Sequence, residues 1–155
     1  MLTFLQSVFG TDEQETIDHA IAILDDRAKK SGFGVSRIDA EKLFRLHIGA
    51  QRKEYFAVAY LDSGLRLLST NVVGIGGTEQ VYLDTLSIVR EALTLSAYGV
   101  IISHNHPSGN LTPSEADIEI TREIKSMLGQ FDINLVDHII VTTGGGYSFE
   151  DKGIL

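Results

Sequence analysis

Along the chain, apolar residues first recur at helical spacing and later switch to the tighter alternation of strands. Within residues 12–30, Ile17, Ala20, Ile21 and Leu24 fall three or four apart, which predicts an amphipathic helix ended by the glycine-bearing SGFG. A second, shorter helix is expected over residues 39–48, carrying Leu43, Phe44 and His47 and stopping at Gly49. The period then changes. YFAVAYLD at residues 55–62 is aromatic and β-rich, and the Asp62-Ser63-Gly64 turn leads into LRLLSTNVVGIG, so the two segments predict a hairpin. Residues 84–98 return to helical spacing with Leu86, Val89, Leu93 and Ala97 on one face and Gly99 as the stop. VIIS at residues 100–103 is a short apolar strand, residues 111–128 form a helix, INLVDHIIVTT a long strand, residues 144–146 a glycine turn, and YSFE a last strand. Behind two N-terminal helices the expected order is βββαβαββ, an α/β fold with a mixed sheet packed on helices. The one plausible division separates a helical N-terminal extension, residues 1–49, from a sheet-bearing part, residues 50–155.

Composition changes this picture in four ways. At 155 residues, 43% hydrophobic and 22% charged, the chain suits one packed core. No run approaches the roughly 18 uninterrupted apolar residues of a membrane helix, and MLTFLQSVFGTDEQ lacks the basic start of a secretory leader, so the cytoplasm is the expected compartment. The formal charge of −8, with no dense basic stripe, argues against direct nucleic-acid binding, which draws on Lys and Arg against phosphates. The nearest cluster, Arg27, Lys29 and Lys30, closes a predicted helix, where cations meet the negative end of the dipole. Without cysteine, any zinc must be held by His, Asp or Glu.

The chemistry concentrates in SHNHPSGNLTPSEAD, residues 103–117. On an extended segment residues two apart point the same way, so His104 and His106 present both imidazoles while Asn105 faces away. The Pro107-Ser108-Gly109 stretch turns the chain. Thr112 as N-cap, Pro113 at N1 and Glu115 at N3 then predict a capped helix, on which Ser114 and Asp117 lie three apart and can return beside the histidines. Two imidazoles and one carboxylate leave the fourth position of a tetrahedral zinc open, the pattern of catalytic sites, and Ser114 could donate to a developing oxyanion. Other readings stand beside this one: a turn feature at a strand end for the histidine pair, a helix-start residue for Ser114, ordinary surface or half-buried residues for His19 and His47. His138, inside a strand, reads as a satisfied structural histidine or as a residue behind the metal ligands.

H-x-H-P-S-G followed by P-S-x-x-D resembles the JAMM metal motif of JAB1/MPN-type domains in the version carried by the RadC family. His104, His106 and Asp117 stand at its H-x-H-x(10)-D spacing and Ser114 at its serine. The likeness runs from about Arg52 to Gly153 through KEYFAVAYLD, GIGGT, REALTLSAYGVIISHNHPSG and LVDHIIV. It implies a JAB1/MPN core, similar to cytidine deaminases in fold, with a largely antiparallel mixed sheet between helices. It also implies Zn2+ on His104, His106 and Asp117, with Glu54 as general acid/base for water activation and Ser114 steadying the oxyanion. Residues alone do not select Glu54, since Glu79, Glu91 and Glu115 compete. JAMM relatives cleave peptide or isopeptide bonds, so the implied partner is a protein or peptide substrate.

Two departures qualify the likeness. Thr85-Leu86-Ser87 stands where RadC relatives commonly carry Pro-Arg-Glu, and the upstream segment shows no helix-hairpin-helix pattern, as in short forms from prophage and mobile-element genes. The alternative function is a non-enzymatic module whose metal is structural and which recruits partners in DNA repair or mobile-element maintenance. An HNH nuclease disperses its histidines over a ββα unit, unlike this adjacent pair, and a zinc deaminase requires cysteines that the chain lacks.

Overall fold

The computed structural model describes residues 37–76 and 83–155, together with residues 15, 16, 19, 20, 22, 23, 26, 27 and 30. Each described residue between 15 and 30 is helical, matching the first expected helix, whose Ile17, Ile21 and Leu24 lie outside the described residues. So do Gly77 and Thr78 of the GIGGT segment, and Glu79 after it. The continuous part runs α1 (Arg37–Ile48), β1 (Tyr55–Leu61), β2 (Leu67–Ile75), α2 (Thr85–Thr94), β3 (Gly99–Asn105), α3 (Glu115–Gly129), β4 (Asn134–Val141) and β5 (Gly146–Ser148). Among the described residues the strand pattern is therefore ββαβαββ, one strand fewer than expected, because the stretch after the Asp62 turn forms a single long strand. No described helix is long and apolar enough to cross a membrane.

The five strands form one open mixed sheet in the order β2-β1-β3-β4-β5. Every neighbouring pair is antiparallel except β3 and β4, which the α3 crossover makes parallel. Both faces are covered, which explains the continuous apolar runs of β1, β3 and β4. On one face Phe56, Val58, Tyr60, Val100 and Ile102 pack against Ile88, Val89 and Ala92 of α2 and Ile124 and Leu128 of α3. On the other, Ala57, Ala59, Ile101 and Ile139 meet Ala40, Leu43, Phe44 and Ile48 of α1. Helix α1 thus packs directly on the sheet.

Three helix expectations are corrected. The buried stripe of α2 is Ile88, Val89 and Ala92, whereas Leu86 and Leu93 face solvent; the helix is rotated by one position from the expected face, toward the β-branched residues. Its end comes earlier too. Ser96 adopts the left-handed conformation at φ 51°, and Ala97 N–H bonds the Ala92 carbonyl at 2.8 Å while Ser96 N–H bonds that of Leu93 at 3.0 Å, a Schellman closure built without glycine. Gly99 instead opens β3, where a Cβ would stand 2.7 Å from Val136 Cγ2. Helix α3 begins later than expected, with Ser114 as N-cap in place of Thr112 and with Asp117 completing the capping box in place of Glu115. Thr112 lies instead in the loop before the helix, its N–H held by Asn110 Oδ1 at 2.9 Å and its backbone kept extended by Pro113, while the reciprocal Ser114–Asp117 hydrogen bonds fix the cap two residues later.

Candidate metal centre

Strand β3 is the buried middle of the sheet, and its carboxyl end delivers the first histidine. His104 pairs with Phe56 of β1 and Ile140 of β4, so its ring lies on the α2–α3 face. One residue beyond the strand, His106 N–H still bonds the Val141 carbonyl at 3.0 Å, which carries the alternation on and brings the second ring to the same side. The chain then reverses: Gly109 N–H returns to the His106 carbonyl at 3.0 Å with Gly109 at φ 79°, a conformation suited to glycine. This reversal sets the first turn of α3 against the histidines, with Asp117 facing them.

Asp117 is gripped from both sides. Its Oδ2 accepts from the backbone N–H and the hydroxyl of Ser114, both at 2.7 Å, while its own N–H donates to Ser114 Oγ at 3.2 Å. The carboxylate is thereby turned so that Oδ1 lies 3.1 Å from His104 Nε2 and Oδ2 lies 3.6 Å from His106 Nε2. The two Nε2 atoms are 2.8 Å apart. Zinc bonded to nitrogen or oxygen at about 2.0–2.1 Å separates neighbouring tetrahedral ligands by roughly 3.3 Å, and the three observed separations bracket that value. His106 Nδ1 lies 2.6 Å from the Asn110 carbonyl, which can only accept. The ring therefore carries its proton on Nδ1 and turns the Nε2 lone pair toward the cluster. His104, His106 and Asp117 form a group able to hold a metal ion, and the donor set fits zinc.

Burial pushes the Asp117 carboxyl up, but the hydrogen bonds that His104 and His106 donate when protonated on Nε2, with the charge of His104 and the Ser114 hydrogen bond, outweigh it and hold the group well below the usual carboxylate range. His106 is raised above its ordinary value of 6.5, chiefly by its hydrogen bond to Asp117 and against the lowering effect of burial. A weaker part of that rise comes from Glu54, whose negative charge reaches His106.

A cavity of about 580 Å³ opens over the cluster, lined by Glu54, Phe56, Leu83, His104 and His106 and, from the loop and helix that follow, by residues 108, 110, 112, 114, 116, 117 and 120, Ser114 and Asp117 among them. Glu54 is exposed at its edge, immediately before β1, with its carbonyl accepting from Gly76 N–H at 2.7 Å. The structure thus gathers all five sequence-derived residues, Glu54, His104, His106, Ser114 and Asp117, around one cavity. Ser114 is engaged first as the cap that orients Asp117.

Two residues near the centre had no site reading in the sequence. Asn105, fully buried on the α1 face, clamps the loop that carries Glu54; its pointing away from the histidines was the available signal. Thr121, one turn beyond Asp117, looked like any helical threonine. His138 is fully buried, with its ring stacked on Phe149 at 4.4 Å and its Nε2 2.8 Å from His104 Nδ1, so it touches the metal cluster directly from behind.

Comparison with known proteins agrees with this geometry. A family model described as a RadC-like JAB domain matches residues 35–154, which takes in α1 as well as the sheet. UPF0758 protein YkfG of Escherichia coli is 33% identical over 155 residues, covering 99% of this chain and 98% of the relative. UPF0758 protein YfjY of the same organism is 32% identical over 143 residues, 92% of this chain and 89% of the relative. A UPF0758 protein of Xylella fastidiosa is 40% identical over 118 residues, 76% of this chain but 53% of the relative, so the chain spans about half its length. Matched across its whole described core, with the histidine pair and Asp117 inside the match, the chain belongs to the RadC family and carries that family's JAB domain, with the relationship to JAMM proteins that this domain brings.

Proposed function

We propose that the protein is a zinc-dependent hydrolase that activates water for attack on a peptide or isopeptide amide bond in a protein or peptide substrate. One observation carries this reading: two imidazole Nε2 atoms and a carboxylate converge at ligand separations on the wall of an accessible cavity that also holds an exposed acid, Glu54. A structural metal site closes all four positions with protein groups, whereas this cluster has three among the described residues. Zinc bound there would act as a Lewis acid that lowers the pKa of water and polarises an amide carbonyl.

The chain's own groups do the rest. His104, His106 and Asp117 hold the ion in place. Glu54, exposed at the cavity edge, removes a proton from the attacking water and returns it to the leaving amine. Ser114 rotates its hydroxyl from Asp117 Oδ2 toward the oxyanion that develops beside it. Phe56, Leu83 and Ile120 give the cavity an apolar wall that lessens competition from bulk water.

The test begins with elemental analysis of wild-type protein and His106→Ala, followed by assays on peptide and isopeptide substrates. Near-stoichiometric zinc that is lost in the variant, with hydrolysis abolished by Glu54→Gln while zinc stays bound, is the expected result. Wild-type protein that cannot be loaded with zinc sinks the hydrolase reading. Zinc retention with no dependence on Glu54 in any assay would favour the binding module that recruits partners.

A further inference from the structure

Behind the candidate ligands lies a closed run of hydrogen bonds that joins two of them through groups on different elements. Thr121 Oγ1 contacts the Asp117 carbonyl, one helical turn back, and a carbonyl can only accept. The single hydroxyl proton of Thr121 is therefore spent on Asp117. The same oxygen lies 2.6 Å from His138 Nδ1, so it must accept there, and His138 carries its proton on Nδ1. His138 Nε2 is then a lone pair, 2.8 Å from His104 Nδ1, which must be the donor. His104 in turn is left with an unprotonated Nε2, the atom that faces Asp117 Oδ1 at 3.1 Å. Each tautomer follows from the one before it, and the starting point is a backbone carbonyl that has no alternative.

We infer that His138 and Thr121 are positioning residues for the metal centre: their hydrogen bonds lock His104 in the tautomer that offers Nε2 to an ion, and tie its ring to the backbone of Asp117. The inference rests on the metal reading above for its functional meaning, and on hydrogen-bond wiring alone for the state of His104. The ring of His138 has little freedom to leave this arrangement. It is fully buried, stacked on Phe149 and tilted against Phe56 and His104, with centroids at 4.4, 5.8 and 4.9 Å. Thr121 is buried as well, at 2% exposure, so water does not readily replace it. Histidines that bind metals commonly donate their second N–H to a carboxylate, carbonyl or water; here the acceptor is a neutral histidine, itself polarised by a threonine.

The distinguishing consequence lies in Thr121→Val, an isosteric change that touches neither ligand side chain. Without the acceptor at position 121, His138 gains nothing from Nδ1–H. It can move its proton to Nε2, which forces His104 to protonate Nε2 and withdraw its lone pair. Zinc dissociation constants, measured by competition with a chromophoric chelator, should rise about tenfold or more in Thr121→Val and in His138→Phe, and by less than about threefold in Thr121→Ser, which keeps the oxygen. Long-range proton–nitrogen correlation spectra should show Nδ1–H on both His104 and His138 in wild-type protein, and an Nε2–H population on His104 in Thr121→Val. Zinc affinity in Thr121→Val within about twofold of wild type overturns the inference, as does a wild-type His104 protonated on Nε2 alone. If wild-type protein binds no zinc, the hydrolase reading fails, and the spectra, which need no metal, decide whether the wiring sets His104.

Discussion

Asn105 Oδ1 accepts the backbone N–H of Tyr55 at 2.7 Å, so a side chain standing between the two candidate ligands reaches back to the residue that follows Glu54. Its amide nitrogen donates to the carbonyls of Gln51 and Lys53 at 3.1 and 3.0 Å, gripping the other side as well. The alternation that sends His104 and His106 to one face sends Asn105 to the opposite face, toward this loop. Metal ligands and candidate base are therefore coupled through three consecutive residues.

Asn105→Asp keeps the acceptor for Tyr55 but sets carboxylate oxygen against two carbonyls. We expect a loss of about 1–3 kcal/mol in urea unfolding, and a fall in hydrolysis per bound zinc larger than the fall in zinc content. Equal losses of zinc and activity would show that Asn105 supports the ligands and not Glu54.

Ser114→Ala removes the side chain that caps α3 and the hydroxyl that holds Asp117 Oδ2. Thermal unfolding should report a loss of about 0.5–2 kcal/mol, and zinc should bind more weakly as Asp117 gains freedom. Unchanged affinity would mean that the Ser114 backbone N–H alone orients the carboxylate.

In metal-free protein two histidines impose opposite pH dependences. His138 is held well below its ordinary value of 6.5, first by burial and then by the charge of His104. The unfolded chain binds that proton more readily, so its contribution to stability is full above about pH 6.5 and is lost on acidification. His106 is raised, so its contribution is present below 6.5 and is lost as pH rises through the higher folded value. Removing His106 leaves the His138 dependence unopposed: His106→Ala should lose stability more steeply between about pH 7 and 5.5 than wild type, measured by urea titration without metal. Zinc affinity in wild type should weaken on acidification from a pH above 6.5, because the ion must displace a proton held on His106. A flat affinity from pH 8 to about 6 would contradict that assignment.

Gly99→Ala places a Cβ 2.7 Å from Val136 Cγ2 at the start of the central strand. Overpacking of this kind costs about 1–3 kcal/mol, and because the clash lies at the end of β3 remote from the histidines, zinc stoichiometry should be unchanged. Loss of zinc would show that the register of β3 propagates to its far end.

The fold class, the hairpin, the long β4 strand and the candidate metal ligands could be read directly from the chain, because each is written in local spacing. Apolar alternation marks strands, and the H-x-H step puts two rings on one side of an extended backbone whatever surrounds it. Helix boundaries were less legible. The start of α3 depends on whether Thr112 or Ser114 caps it, which the reciprocal Ser114–Asp117 hydrogen bonds decide, and the end of α2 is closed by a serine at positive φ where glycine is the usual sign.

What the sequence by itself determined is the inventory and its order: two imidazoles, a carboxylate three residues past Ser114, and a sheet able to carry them. Tertiary structure alone decided which distant groups complete the centre. Glu54 enters through the Asn105 clamp and the β1 register, and His138 and Thr121 through the parallel pairing of β3 with β4 beneath α3. Spacing along a chain cannot encode such contacts, because the distance between β3 and β4 in sequence is set by the crossover helix while their distance in space is set by the hydrogen-bonded sheet.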